Sequence, residues 1–233
     1  MELAVSEMVL SRRRMFTGVL RDITERKQIE TERKRIERHQ ELLVAELDHR
    51  VKNILAQVAV VAVSTRQGSR SIDEFLRSLS GRIQSMAAAH TLLSKNGWQS
   101  VGLDALVRNQ LAPYATDTNL TIHGTDIMLT SAEVQAVAKV LHELVTNAAK
   151  HGALSIPGGH VSVNWVRKPN RDGTNLSIVW QELDGPPVKS ETRSSYGTNL
   201  IRNLIPHELG GKVDLMFPSQ GVNCRIEIPV GRA

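Results

Sequence analysis

Residues 132–152, AEVQAVAKVLHELVTNAAKHG, repeat apolar side chains at three- and four-residue steps and stop at Gly152. That period predicts a strongly apolar helix over 132–149. Around it the pattern predicts a helix near 103–111, a strand near 120–128 and strands around 160–166 and 176–181. A Pro-rich loop, a helix near 198–207 and strands over 212–217 and 223–229 complete the segment. Strands and helices mixed in this way, with adjacent strands joined by loops, predict a two-layer α/β sandwich.

Upstream, KNGWQSVG (95–102) carries two glycines and no periodicity, which marks a domain boundary. Before it the period is helical from Ile29 on, with Ile36, Leu43, Leu47, Val51, Ile54, Val58 and Val61 near one stripe until Gly68. Ser71 followed by Glu74 is a capping-box pattern, and Ile72, Phe75, Leu76, Leu79, Ile83, Met86, His90 and Leu93 then recur at helical steps. Two amphipathic helices joined by a short turn form an antiparallel hairpin. Its long apolar stripe is most simply buried against a second copy, as a four-helix bundle. Residues 2–10 and 15–21 read as two strands, and because an isolated hairpin is marginal in water they belong to something larger.

Composition narrows the class. Aromatics make up 3% of the 233 residues, a balance suited to helical hairpins and layered α/β units. The single cysteine, Cys224, excludes an internal disulfide and fits a reducing compartment. No apolar run approaches the roughly 20 residues of a membrane-spanning helix, so the chain reads as soluble and cytoplasmic. The net charge of +5 gathers between Arg12 and Arg38, where Asp22, Glu25, Glu30, Glu32 and Glu37 interleave with the basic residues as on a solvated helix face. No recognition motif or stacking platform accompanies that run, and nucleic acid is not expected as a partner.

Two groups of polar residues point to chemistry. With His49 at zero on a helical wheel of about 100° per residue, Leu47, Val51, Ile54 and Val58 fall within about 40° of the opposite side. His49 therefore faces outward with Glu46, Lys52 and Asn53. A neutral imidazole can attack a phosphoryl group, and Asp48 can hold the proton on one ring nitrogen while the other keeps its lone pair. A lone exposed histidine, however, carries no function by itself. His90, by contrast, lies on the apolar stripe of the second helix and reads as a buried, hydrogen-bonded packing residue.

In HELVTNAAKHG (142–152), Glu143, Asn147 and Lys150 share one helix face, which is expected to be exposed. Mg²⁺ takes oxygen ligands and enters with substrate phosphates, so Asn147 can bind the metal while Lys150 neutralises phosphate. Glu143 can polarise an acceptor imidazole or a metal-bound water. WQELDGPPV (180–188) brings Glu182 to the end of a strand, where a carboxylate can accept the exocyclic amine of adenine, and Gly185 allows close backbone approach. SSYGTNLI (194–201) sets Gly197, followed by Thr198, at the start of a helix whose free N–H groups suit phosphate. Trp180 reads as core beneath the site, and His142 as either packing or catalytic support.

The string ELDHRVKN (46–53) resembles the acceptor box of the HWE family of histidine kinases, and the order of motifs from Glu46 to the C-terminus resembles those kinases over roughly four-fifths of the chain. The family's defining residues stand here as His142 and as Trp180-Gln181-Glu182. The resemblance implies an α + α/β chain, with a helical-hairpin dimerisation and phosphoacceptor domain at 25–97 and an ATP-binding domain at 98–233, of the fold shared with gyrase and heat-shock ATPases. It implies autophosphorylation of His49 from ATP and Mg²⁺, transfer to an aspartate of a response-regulator receiver domain, and a homodimer through the hairpin. Asp48 then aids proton transfer, Arg50, Lys52 and Asn53 orient phosphate or the docked regulator, and Asp184 joins the nucleotide residues. FTGVLRDITERKQ (16–28) resembles the closing strand and exit linker of a PAS sensor domain, the tail of which occupies 1–24. Three departures stand out. Asp184 replaces a common Gly, Ser195 replaces the first Gly of a G-x-G and is expected to weaken nucleotide binding, and His151 occupies a position often aromatic.

Two other readings share these residues. A phosphotransfer scaffold without ATP binding is disfavoured by Glu143, Asn147, Lys150 and Glu182. An ATPase or serine kinase of the same nucleotide fold is disfavoured by the ELDHRVKN helix.

Overall fold

The two expected N-terminal strands form β1 (Glu2–Leu10) and β2 (Arg13–Arg21), antiparallel with Glu2 opposite Arg21, in a computed structural model that describes residues 1–10, 13–22, 24–116, 118–170, 173–188 and 196–230. Leu3, Val5, Phe16 and Val19 of this ribbon are exposed. Helix α1 (Thr24–Gly68) follows and starts earlier than its apolar period, because exposed i,i+4 pairs such as Arg33–Glu37 and Lys34–Glu30 support a charged helix without a core face. The chain divides into two compact units, Met1–Ala59 and Val60–Ala233.

In the second unit the end of α1 turns into α2 (Ile72–Lys95). Ser71 caps α2 by accepting the Glu74 N–H at 3.1 Å, but Glu74 reaches back to the Arg70 N–H rather than to that of Ser71, so the expected box is half formed. Met86, Ala89 and Leu93 are buried, whereas Ile72, Leu76 and Ile83 of the same expected stripe are exposed. The segment read as an aperiodic boundary is ordered. The Trp98 N–H donates to Leu93 O at 2.8 Å, and β3 (Ser100–Gly102) follows at once.

After α3 (Leu103–Leu111), the single strand expected near 120–128 is two. β4 (Leu120–Gly124) enters the main sheet, and β5 (Met128–Thr130) pairs antiparallel with β3, with buried Val101 opposite buried Leu129. Helix α4 (Ser131–His151) begins at a full capping box between Thr130 and Glu133 and ends at Gly152. β6 (His160–Asn170), β7 (Gly173–Leu183), α5 (Tyr196–Leu209), β8 (Lys212–Met216) and β9 (Asn223–Val230) complete a five-stranded sheet of order β4-β6-β7-β9-β8. Only the β4–β6 pair is parallel.

Register aligns the inward residues into rows. Ile122, Val163, Trp180, Cys224 and Leu215 lie opposite one another across all five strands. Helix α4 packs against α2, α3 and α5 and buries Val137, Val140, Leu141 and Leu144. The predicted layered architecture of helices on a mixed sheet is therefore present. Leu141→Ala is expected to lower stability by about 2–5 kcal/mol, through lost burial and the cavity left behind, as measured by urea unfolding.

Candidate functional site

In the first unit, His49 is exposed on α1. Its Nδ1 lies 3.5 Å from Asn53 Nδ2, one turn on. Asp48, expected to orient the imidazole, instead takes the Lys52 ammonium at 2.6 Å, and Glu46 pairs with Arg50. Each is the i,i+4 pairing that helix geometry favours, since residues adjacent in sequence point about 100° apart. Of the apolar stripe opposite His49, Leu47 and Val51 are exposed and Ile54 and Val58 are half-buried, and Leu55 beside it is exposed.

In the second unit a cavity of about 1150 Å³ opens beside α4. His142, Glu143, Asn147 and Lys150 line it from α4, and Glu182 from the end of β7. Gly197 and Thr198 line it from the first turn of α5, so three separate elements bring these residues together. Asp184 and Gly185 are not among the lining residues. A Cβ on Gly185 would come within 2.9 Å of the Ala153 backbone, so its close approach is made to the chain after α4. Asp184 holds φ 54°, a left-handed conformation that Asp tolerates better than most residues and that explains the kinship of this position with glycine. Ser195 lies outside the described residues.

Of the face expected to be exposed, Lys150 is exposed and Asn147 half-buried, but Glu143 is buried. The side chain of Glu143 is 7% accessible and that of its partner Arg82, on α2, is 14% accessible. Arg82 grips both carboxylate oxygens, Nε to Oε1 at 2.7 Å and Nη2 to Oε2 at 3.0 Å, and its Nη1 donates to Thr65 Oγ1 at 2.7 Å. From the other side α5 closes in: a Cβ on Gly197 would sit 2.6 Å from Glu143 Oε2, so this position admits only glycine while the carboxylate stays there. Periodicity cannot reveal Arg82, whose place in a helix of mixed polarity looks like any solvated arginine. The tight fit at Gly197, however, has a sequence signal in the glycine itself.

Glu182 is buried at the base of the cavity. It accepts from the Ala153 N–H at 2.9 Å and from Trp180 Nε1–H at 3.3 Å, and a Cβ on Gly152 would strike its Oε2. Burial pushes the Glu182 carboxyl up from its ordinary range, and the two donated hydrogen bonds oppose that shift. Trp180 is fully buried and steadies Glu182 through its indole N–H, a tie that sequence does not disclose. Burial, with the nearby Arg82 and Lys150 charges, holds His142 below the usual histidine range against the pull of Glu143, which favours the neutral ring. Burial pushes the Cys224 thiol up to about 12, which makes it an inert core group. His90 is half-buried and meets Trp98 edge-on at 5.6 Å. Its Nδ1 has no hydrogen-bond partner among the described residues, so it packs without the bond expected of it.

Among the described residues no cluster of three His, Cys, Asp or Glu side chains can hold a metal. Asn147 at the cavity wall suits Mg²⁺ that arrives with phosphate oxygens, since that ion keeps few protein ligands, and Lys150 beside it suits the phosphates. Glu143, the residue read as holding a metal-bound water, has Arg82 on both of its oxygens in this arrangement.

The sequence profile described as HWE histidine kinase matches residues 46–126. A blue-light-activated histidine kinase of Rhizobium johnstonii is 34% identical over 214 residues, which covers 92% of this chain and 59% of that protein. Blue-light-activated histidine kinase 1 of Erythrobacter litoralis is 36% identical over 226 residues with the same coverage. The chain thus spans about three-fifths of the length of these curated relatives. Among solved structures, Erythrobacter litoralis EL346 blue-light activated histidine kinase superposes with a TM-score of 0.59 at 15% identity, over 79% of this chain and 60% of that one. Its separately solved histidine kinase domain gives 0.54 at 16% identity, over 76% and 84%. At these identities the structural likeness establishes the fold.

The folded chain binds the Glu182 proton more tightly than the unfolded chain does. The stability this contributes is full below the ordinary value of 4.5 and is lost as pH climbs through the raised native value. Urea unfolding of the parent and Glu182→Gln from about pH 4 to about pH 8 is expected to show the difference between them moving against the parent as pH rises, and a difference independent of pH would contradict this account.

Proposed function

Because the chain belongs to the HWE histidine kinases, we propose that it binds Mg-ATP in the cavity beside α4, phosphorylates its own His49 and passes the phosphoryl group to an aspartate of a response-regulator receiver domain. The observation that carries the reading is the convergence of Asn147, Lys150, Glu182, Gly197 and Thr198 on one cavity. Phosphoryl transfer needs positioning and charge neutralisation more than covalent help from the protein, and this lining supplies both.

In this reading Lys150 and the first turn of α5 at Gly197 and Thr198 receive the phosphates, and Glu182 lies where the adenine amine is read. Asn147 holds Mg²⁺, which spreads the charge of the transferring group. Glu143 polarises the acceptor imidazole or a metal-bound water, and His142 stands beside it as a neutral ring. On α1 the exposed His49 imidazole attacks, Asn53 steadies its Nδ1, and Asp48 takes part in proton transfer once it leaves Lys52. Arg50 and Lys52 meet the phosphate or the docked regulator.

We divide the work among residues 1–24 as a PAS-like tail, 25–97 as the dimerisation and phosphoacceptor segment and 98–233 as the ATP-binding lobe. Exposed Leu47 and Val51, on the stripe opposite His49, and exposed Leu55 beside it support a homodimer through the hairpin, since clustered apolar side chains in water favour association. ATP is drawn from the cytoplasm, where we place the chain.

Incubation with γ-labelled ATP and Mg²⁺ is expected to label the chain with phosphate that is lost in acid and survives base. His49→Gln removes the label, and Asn147→Asp slows its uptake by about 10- to 100-fold, the usual cost of disturbing a metal's support. Acid-stable label, or label persisting in His49→Gln, would refute the assignment.

A further inference from the structure

Glu143 has one role in the proposed reaction and a different one in this arrangement of the chain. Both of its carboxylate oxygens meet the two-pronged guanidinium of Arg82, at 2.7 and 3.0 Å, in a pair that is nearly buried. The remaining guanidinium nitrogen, Nη1, is anchored on Thr65 Oγ1, and that hydroxyl itself donates to Val61 O at 2.5 Å. Arg82 therefore ties α4 to α2 and to the last turns of α1. Around this knot the contact is close-fitting: Gly81 lies against the His142 ring, where a Cβ would sit 3.5 Å from Cε1 and Nε2, and Ser85 Oγ donates to the buried Gln110 of α3 at 3.0 Å. A carboxylate clasped in this way spends one lone pair of each oxygen on the guanidinium and is a weaker base toward an imidazole or a metal-bound water.

We propose that Arg82 is a latch, a positioning residue that acts through Glu143 and keeps the ATP-binding lobe docked on α2 in a resting state, so that transfer to His49 proceeds only after the Arg82–Glu143 pair opens. The proposal rests on Glu143 taking part in the reaction. The latched fraction of molecules is inactive, and the observed rate is the intrinsic rate scaled by the open fraction. Removal of the guanidinium leaves Glu143 in a nearly dry contact without its counter-charge, and the contact between α4 and this part of α2 loosens so that water can reach the carboxylate. A purely structural pair behaves in the opposite way, since its loss loosens the fold and lowers activity.

The test compares initial rates of acid-labile phosphate uptake at saturating Mg-ATP for the full chain and its variants, with amide hydrogen exchange over 72–95 and 131–151 read in parallel. Arg82→Ala is expected to run at least about fivefold faster than the parent, within the usual range of coupling between two states, with faster exchange in both helices. Arg82→Lys keeps the charge without the fork and falls between the two. Thr65→Val removes only the hydroxyl that steadies the guanidinium, is expected to give about a twofold rise, and decides the matter should Arg82→Ala fail to fold. Rates equal to or below the parent in the folded variants overturn the latch. Glu143→Gln keeps two failures apart. A parent-like rate in that variant removes Glu143 from the reaction and the latch with it, whereas an inactive Glu143→Gln beside an unaccelerated Arg82→Ala removes the latch alone.

Discussion

Helix α4 is covered on most of its circumference, and the rest of the second unit is arranged by that fact. Val134, Val137, Leu141 and Leu144 cannot remain in water, so α2, α3 and α5 close around the helix and bring the sheet with them. What remains is a narrow polar strip, on which Glu143 meets Arg82 of α2 and Gly197 of α5. Asn147 and Lys150 face a cavity because α5 starts against Glu143 and because β7 ends at Glu182. The site is thus a consequence of how one apolar helix is buried.

The two buried carboxylates at this site are handled differently. Glu143 is matched by a full guanidinium, and breaking such a pair from one side costs about 3–5 kcal/mol because a charge is left stranded. Glu182 has only an amide N–H and an indole N–H, so its proton affinity rises instead. The first arrangement stores control in a geometry that can open. The second fixes a buried carboxylate between the Ala153 N–H and the Trp180 indole N–H.

The first unit has the opposite character. Its helix is held by i,i+4 ion pairs in water, each worth only a few tenths of a kcal/mol, about 0.3–0.5, and Leu43, Leu47, Val51 and Leu55 on it are exposed. A segment of this kind is easily biased by whatever binds it, which suits a helix that carries an outward imidazole.

The sequence by itself determined the helices, the strands of the sheet, the outward His49 and the candidates on α4, because these follow from periods of 3.6 and 2 and from glycine at Gly152 and Gly197. It also indicated the burial of Trp180. It did not disclose that β3 and β5 pair, that Trp180 donates to Glu182, that Asp48 turns to Lys52, or that Arg82 closes over Glu143. Those are meetings between residues whose local patterns are indifferent to one another: Arg82 and Glu143 are separated by 61 positions and each looks solvated in its own helix. Local preference sets which face a side chain takes, while only the packing of α2 onto α4 decides which charges share a nearly dry contact, and so whether the site rests open or closed.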